Sequence, residues 1–141
     1  MNLHRIMLIV ILLAGFGLGL ALPTVRRHLD NQHAQQAVQV ARSLARAEKD
    51  FFEQHGYYTA DFAGLVTQKG CLQTVQDGQS VFACPGYVVQ LEGAQQLRIK
   101  STKYPQWFTV LLDTGALTCE YEEGSLVGPK VCLAAGVPNY I

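Results

Sequence analysis

The sequence predicts an α+β protein in which one long N-terminal helix packs on a four-stranded antiparallel sheet. An uncharged apolar run, 6–22, passes into a polar segment, 24–54, that contains neither Gly nor Pro and is typical of a helix. From Tyr87 onward, apolar and polar residues alternate as they do in half-exposed strands. Four cysteines at regular spacing indicate a small domain that is stabilised by disulfides.

The size and charge of the chain restrict its function. It has 141 residues, with 11 Lys and Arg against 11 Asp and Glu, so its formal net charge is +0. A neutral chain lacks the overall positive field of most nucleic-acid-binding proteins. After the helical first third, roughly 90 residues remain, which is enough for one small domain.

Residues 1–23 are predicted to be a transmembrane anchor. As a helix, the apolar run measures about 25 Å, slightly less than the ~30 Å hydrocarbon core of a bilayer. One alternative is a cleaved secretory signal, because Gly19 and Ala21 are small residues spaced like a cleavage site. A buried core helix is the other alternative. The cysteines favour an oxidising compartment, so we expect the C-terminal part to be exported.

Residues 24–56 are predicted to form an amphipathic stem helix. Apolar residues recur at three- and four-residue steps, while polar residues such as Gln35, Arg42 and Arg46 fill the other side. Pro23 is a candidate kink, and Gly56 is suited to end the helix in a left-handed conformation. The predicted packing face of the stem consists of Ala34, Ala37, Val38, Ala41, Leu44, Ala45, Phe51 and Phe52.

Two motifs of the stem carry a family resemblance. Ala21-Leu22-Pro23 closes the apolar run ahead of Ala41-Arg42-Ser43-Leu44-Ala45, and the aromatic-rich segment 51–59 ends the helix. This arrangement resembles the stem of type IV pilins and pseudopilins. The resemblance implies a pilin-like fold and a structural role as a minor or accessory component of a type IV pilus or a type II secretion pseudopilus. It also implies pilus subunits and the inner membrane as partners, and a single-pass bacterial inner-membrane location with the C-terminal domain in the periplasm or a surface filament.

The sequence departs from the family motif near its N-terminus. With Pro23 aligned, Met1 stands at the leader glycine, Asn2 at the methylated aromatic and Ile6 at the assembly glutamate. Ile6 therefore lacks the buried charge through which such a glutamate finds a partner. We expect docking to rely on the amphipathic stripe of the stem, and the protein to be present in few copies outside the filament shaft.

Residues 57–141 are predicted to form a disulfide-stapled antiparallel β head. Asp77-Gly78 predicts a tight turn between strands 71–75 and 80–84, which would form a small ribbon ahead of the sheet. Two further hairpins supply the sheet itself, with one face on the stem. The four predicted strands are 87–92, 96–101, 107–113 and 116–121.

The four cysteines allow three connectivities. Twelve residues separate Cys71 from Cys84, and twelve separate Cys119 from Cys132, so sequential pairing, which closes two equal loops, is favoured. The second loop is similar to the C-terminal disulfide-bounded region of pilins, which staples an irregular tail to the last strand. Neither the cysteines nor the histidines are spaced like metal ligands, so we expect no metal and no cofactor.

The sequence offers little chemistry for catalysis. No Ser or Cys stands in a nucleophile context beside the histidines, so the protein is predicted not to be an enzyme. One basic cluster with interleaved aromatics is a candidate patch for DNA or another ligand, and the alternative is a solvent face beside a core Trp. The alternative function is therefore a membrane-anchored, exported adhesive or ligand-binding domain on a pilin scaffold. The candidate patch consists of Arg98, Lys100, Lys103, Tyr104 and Trp107.

Overall fold

The computed structural model describes residues 2–137, without the side chains of residues 20–27, 29 and 30. Contacts within the chain divide it into two units, Met1–Asp30 and Asn31–Ile141. Helix α1 runs from Leu3 to His55 and contributes to both units. The elements after α1 are α2 (Phe62–Leu65), β1 (Leu72–Gln76), β2 (Gln79–Cys84), β3 (Tyr87–Glu92), β4 (Gln96–Ser101), β5 (Gln106–Leu111), β6 (Leu117–Tyr121) and α3 (Gly128–Ala135).

The first unit contains the N-terminal part of α1, where large apolar side chains are exposed. Between Leu3 and Leu18 their exposed fractions range from 40 to 77 %. Among the described residues, no helix is both long and apolar enough to cross a membrane. The predicted transmembrane anchor at 1–23 and the predicted inner-membrane location are therefore wrong, because the apolar part of α1 within the described residues is shorter than the roughly 20 residues that a span needs. Pro23, the candidate kink, and Ala21, part of the candidate cleavage site, are among the residues whose side chains the structure does not describe.

The strands form one antiparallel sheet in the order β1-β2-β3-β4-β5-β6. The predicted four-stranded sheet is therefore wrong, because the ribbon formed by β1 and β2 belongs to the same sheet. The two-residue turn Pro85-Gly86, in which Gly86 has a φ of 85°, brings Cys84 opposite Tyr87 and lets β2 pair with β3. A Pro-Gly pair in a sequence is compatible with a break between two separate parts of a fold, and it is equally compatible with a two-residue turn that joins adjacent strands.

The turn predicted between β1 and β2 is confirmed. Gln76 pairs with Gln79, and both intervening residues have positive φ, 50° at Asp77 and 77° at Gly78. Positive φ at both central positions gives the turn whose twist matches paired strands. Asp-Gly is favoured there because an aspartate tolerates the left-handed region and a glycine has no Cβ to clash.

A row of buried side chains across five strands defines the core face of the sheet. Successive register pairs join its members from β2 to β6, and each is at most 2 % exposed. The same hydrophobic cluster includes the apolar stripe of α1 from Ala34 to Leu44. The stem thus closes the core of the head by covering one face of the sheet. The row consists of Phe82, Val89, Ile99, Phe108 and Cys119.

The C-terminal segment is a helix, whereas the resemblance to pilins implies an irregular tail. Pro129 stands in the first turn of α3, and Gly136 ends the helix with a φ of 68°. Both positions suit these residues, because proline is pre-organised for a first turn and glycine accepts the left-handed end. The disulfide from Cys119 to Cys132 then holds α3 on β6, and a second disulfide joins Cys71 to Cys84. This is the sequential pairing that the equal spacing favours.

Candidate partner-binding surfaces

Most of the predicted packing face of the stem is used inside the head. Five of its eight residues are buried in the core, while Ala45 and Phe51 are half-buried and Phe52 is exposed. A stripe that the sheet already covers has no free surface for another subunit. The expectation that this stripe docks the protein therefore has no geometric support. The buried members are Ala34, Ala37, Val38, Ala41 and Leu44.

The aromatic end of α1 packs on itself and directs the chain into the head. The ring of Phe51 stacks on His55, with centroids 4.1 Å apart, and meets Tyr57 edge-on at 5.4 Å. Phe52 stacks on Tyr58 at 4.6 Å. These contacts place the following residues alongside the last turns of the helix, since aromatic pairs favour such stacked and edge-on geometries.

Glu48 is a buried carboxylate that is not among the residues predicted from the sequence. It is fully buried, its Oε2 accepts a hydrogen bond from the backbone N–H of Thr59 at 2.9 Å, and its Oε1 has no partner among the described residues. Burial raises the pKa of the Glu48 carboxyl, and the hydrogen bond from Thr59 opposes this only in part. The burial of Glu48 could have been predicted from its position four residues after Leu44, which places it on the apolar stripe of the helix.

The candidate patch for DNA or another ligand is divided between two parts of the fold. Arg98, Lys100 and Trp107 lie on the face of the sheet opposite the core, where the register pairs Lys100 with Trp107. Lys103 and Tyr104 belong instead to the connection between β4 and β5, with the Lys103 ammonium 5.0 Å from the ring centroid of Tyr104.

Carboxylates offset the positive charge on this outer face of the sheet. The Nε of Arg98 lies 2.6 Å from Oε2 of Glu92, and its guanidinium lies 5.7 Å from the ring centroid of Trp107. The indole N–H of Trp107 donates to Glu120, which also accepts from the Thr109 hydroxyl at 3.2 Å. A phosphate backbone lying on this face would meet two carboxylates, so the arrangement disfavours nucleic acid.

A groove of about 400 Å³ lies between α1 and the β5–β6 hairpin. We call it the basic groove, because Arg42, Arg46 and Lys49 line it from α1, facing Asp113 on the hairpin. The three cations recur at four- and three-residue steps, so they share one helix face, and none forms an ion pair with a described residue. The remaining lining residues are Ala45, Val110, Leu112, Thr114, Gly115 and Leu117.

The sequence pattern places Arg42 and Arg46 on the polar side of the stem without indicating a groove. Their spacing with Lys49 was the available signal, whereas the opposite wall depends on how the hairpin packs against α1. In the part of the chain that the structure describes, no group of three or more His, Cys, Asp or Glu side chains is placed to hold a metal ion. These surfaces offer charge and apolar area for contact with another macromolecule.

No family model matches the chain, and neither the curated proteins nor the solved structures give a match.

Proposed function

We propose that the protein is a minor or accessory pilin-like subunit with a structural role in a type IV pilus or a type II secretion pseudopilus. The observation that carries the proposal is the exposed apolar part of α1, on a helix whose later turns are buried against an antiparallel sheet. The partner is the set of N-terminal helices of neighbouring subunits, which would cover this apolar part in the assembled filament.

The distribution of the apolar side chains favours contact with several helices at once. Five consecutive residues, 9–13, are all large, apolar and exposed. Consecutive helical residues differ by about 100° around the axis, so these five face every direction. A helix that is apolar all round is stable where it is surrounded, as in the core of a helical filament.

The apolar area is large enough to drive assembly. Fully covering one large apolar side chain contributes about 1.5–3 kcal/mol relative to leaving it in water. Several such side chains are therefore sufficient to offset the cost of immobilising a subunit, which is on the order of 4–15 kcal/mol. In this proposal the β head determines which subunits can lie next to each other, through surfaces such as the basic groove.

The test introduces one charge into the apolar part of α1 in the bacterium that makes the protein. Ile9→Arg should remove the protein from the sheared filament fraction, because a buried arginine has no partner among apolar side chains. Leu133→Arg is the matched control, since Leu133 is a similarly apolar and exposed residue on α3. Both variants should retain the two disulfides of the head.

Two outcomes would contradict the proposal. In the first, Ile9→Arg is recovered with filaments at the wild-type level. In the second, quantitative mass spectrometry of sheared filaments finds this chain to be the dominant subunit, which a minor or accessory component is not.

A further inference from the structure

The lining of the basic groove specifies the chemistry of its occupant. Arg42, Arg46 and Lys49 favour carboxylates, while Val110 and Leu117 supply apolar floor. None of the described residues that line the groove is aromatic, so it lacks the platform on which nucleobases stack. Asp113 at its edge would repel a continuous polyanion. A polypeptide segment that carries acidic residues close to an exposed apolar residue fits best.

The chain itself carries such a segment in the loop after β6, which we call the acidic loop, residues 122–127. Glu122-Glu123 is the only adjacent acidic pair in the sequence, and both side chains are exposed. Leu126, which follows them, is 84 % exposed, and nothing in the described part of the head covers it. The loop therefore presents two carboxylates and an uncovered leucine, which match the charge and the apolar floor of the groove.

The acidic loop is held in shape before any partner arrives. The backbone N–H of Ser125 donates to the carbonyl of Glu122 at 3.0 Å, and that of Gly128 donates to the Ser125 hydroxyl at 3.0 Å. The disulfide between Cys119 and Cys132 closes the loop from both sides. A pre-organised loop loses less conformational entropy on binding than a flexible one does.

The loop and the groove of one molecule lie at opposite ends of β6. The groove includes Asp113 and Leu117, where β6 begins, whereas the acidic loop starts after Tyr121, where β6 ends. The five residues of this strand span about 17 Å at ~3.4 Å per residue. The loop of a molecule therefore does not fill its own groove, so a loop of this sequence that binds there belongs to a second copy.

We propose that the acidic loop of one copy binds in the basic groove of a second copy. Glu122 and Glu123 pair with the groove arginines, whose guanidinium N–H groups donate to carboxylates in a bidentate manner, and Leu126 lies on the apolar floor. Because two different surfaces meet, the contact is head-to-tail and leaves a free groove and a free loop at the ends of a row. It goes beyond the proposed function, because it concerns the heads and not the apolar part of α1.

The contact is expected to be weak and sensitive to salt. Ion pairs that remain partly exposed contribute little individually, and salt screens them. Asp50 and Glu53 stand one turn after Arg46 and Lys49 on α1 without forming ion pairs with them, and they lower the local positive potential. Covalent trapping is therefore a better readout than equilibrium sedimentation.

The experiment uses carbodiimide coupling, which joins a lysine amine to a carboxylate that it touches. Full-length protein is purified in mild detergent, which keeps the apolar part of α1 dispersed, and unlabelled protein is mixed with ¹⁵N-labelled protein. Mass spectrometry should find Lys49 joined to Glu122 or Glu123 in peptides that combine the two isotopes. Mixed isotopes show that the link joins two molecules.

Charge exchange tests which residues meet. Arg46→Glu alone and Glu123→Arg alone should each lower the yield of the Lys49–Glu122 link by about tenfold, because like charges then face each other. The combined variant R46E/E123R should restore the yield. Lys100→Glu, an equal change of charge on the outer face of the sheet, should leave it unchanged.

Mixing the two single variants adds a test of the contact between copies. The R46E protein keeps the native loop and the E123R protein keeps the native groove, so loop and groove are complementary only between the two variants, and Lys49 of each variant should be joined to Glu122 of the other and not to Glu122 of its own kind. The proposal is overturned if the links contain a single isotope, if R46E links as well as the wild type, or if mixing the two variants does not raise the yield of links between them. None of these results bears on filament incorporation, which Ile9→Arg tests separately.

Discussion

Removing each disulfide of the head in turn separates packing from chain entropy. Both disulfides join cysteines 13 positions apart, so the chain-entropy model gives each the same contribution, about 3 kcal/mol. Their surroundings differ, because Cys119 and Cys132 are fully buried whereas Cys71 is half-buried and Cys84 is 8 % exposed. The amide of buried Gln106 also donates to the sulfur of Cys119 at 3.1 Å.

We expect the double variant C119A/C132A to lose about 3 kcal/mol more than C71A/C84A. Each buried sulfur that alanine removes is comparable to a methylene, which contributes about 0.8 kcal/mol. Leaving the Gln106 donor without its acceptor costs about 1–3 kcal/mol. Urea unfolding followed by the fluorescence of Trp107 measures both losses at one pH. Equal losses, or a larger loss for C71A/C84A, would refute this assignment of packing energy.

Substitutions on the buried stripe of α1 give three further expected outcomes. Burial raises the pKa of Glu48 in the folded state above its ordinary value of 4.5. The free energy of unfolding of the wild type, relative to that of Glu48→Gln, should therefore be highest below pH 4.5 and should fall as the pH rises through the folded-state pKa. Urea unfolding at a series of pH values would measure this difference. Leu44→Ala should lower the free energy of unfolding by about 2–5 kcal/mol, and the same change at exposed Leu111 by much less, as measured by urea unfolding. Ala41→Gln should destabilise the head by about 1–3 kcal/mol, because the added amide overfills a fully buried site, as thermal unfolding would show.

A specific result would contradict each of these three predictions. A stability difference between the wild type and Glu48→Gln that does not change with pH would mean that the carboxyl titrates alike in both states. Similar losses from Leu44→Ala and Leu111→Ala would mean that the stripe is not packed in the core. An Ala41→Gln variant with wild-type stability but no filament incorporation would indicate that the stripe binds another subunit and is not part of the core.

The elements that local pattern determines were predictable. Alternation alone gives β3 at Tyr87–Glu92 and β4 at Gln96–Ser101, with the bounds that the structure has. The sheet as a whole was not predictable in this way, because Pro85-Gly86 is compatible with both a break and a two-residue hairpin turn. What decides between them is the burial of Phe82 beside Val89, which depends on tertiary packing.

The candidate surfaces depend still more on contacts between distant residues. The cluster of cations and aromatics in the sequence includes Arg98 and Trp107, but the position of Glu120 opposite Trp107 depends on the strand register. The carboxylate of Glu120 reduces the positive charge of that face. In the same way, the spacing of Arg46 and Lys49 indicates a shared helix face without indicating a groove. The second wall comes from the β5–β6 hairpin, more than sixty positions later in the chain.

The pairing of every strand with its neighbour in the chain affects the order in which the head folds. Each hairpin, and each of the two disulfides, needs only residues that are close together in the sequence, so we expect these parts to form early. The stem is the exception, because Leu44 belongs to the same core cluster as Phe108 and Cys119, which lie more than sixty positions later in the chain. We therefore expect α1 to dock late, onto a sheet that has already formed, and its apolar stripe to be open to water until then.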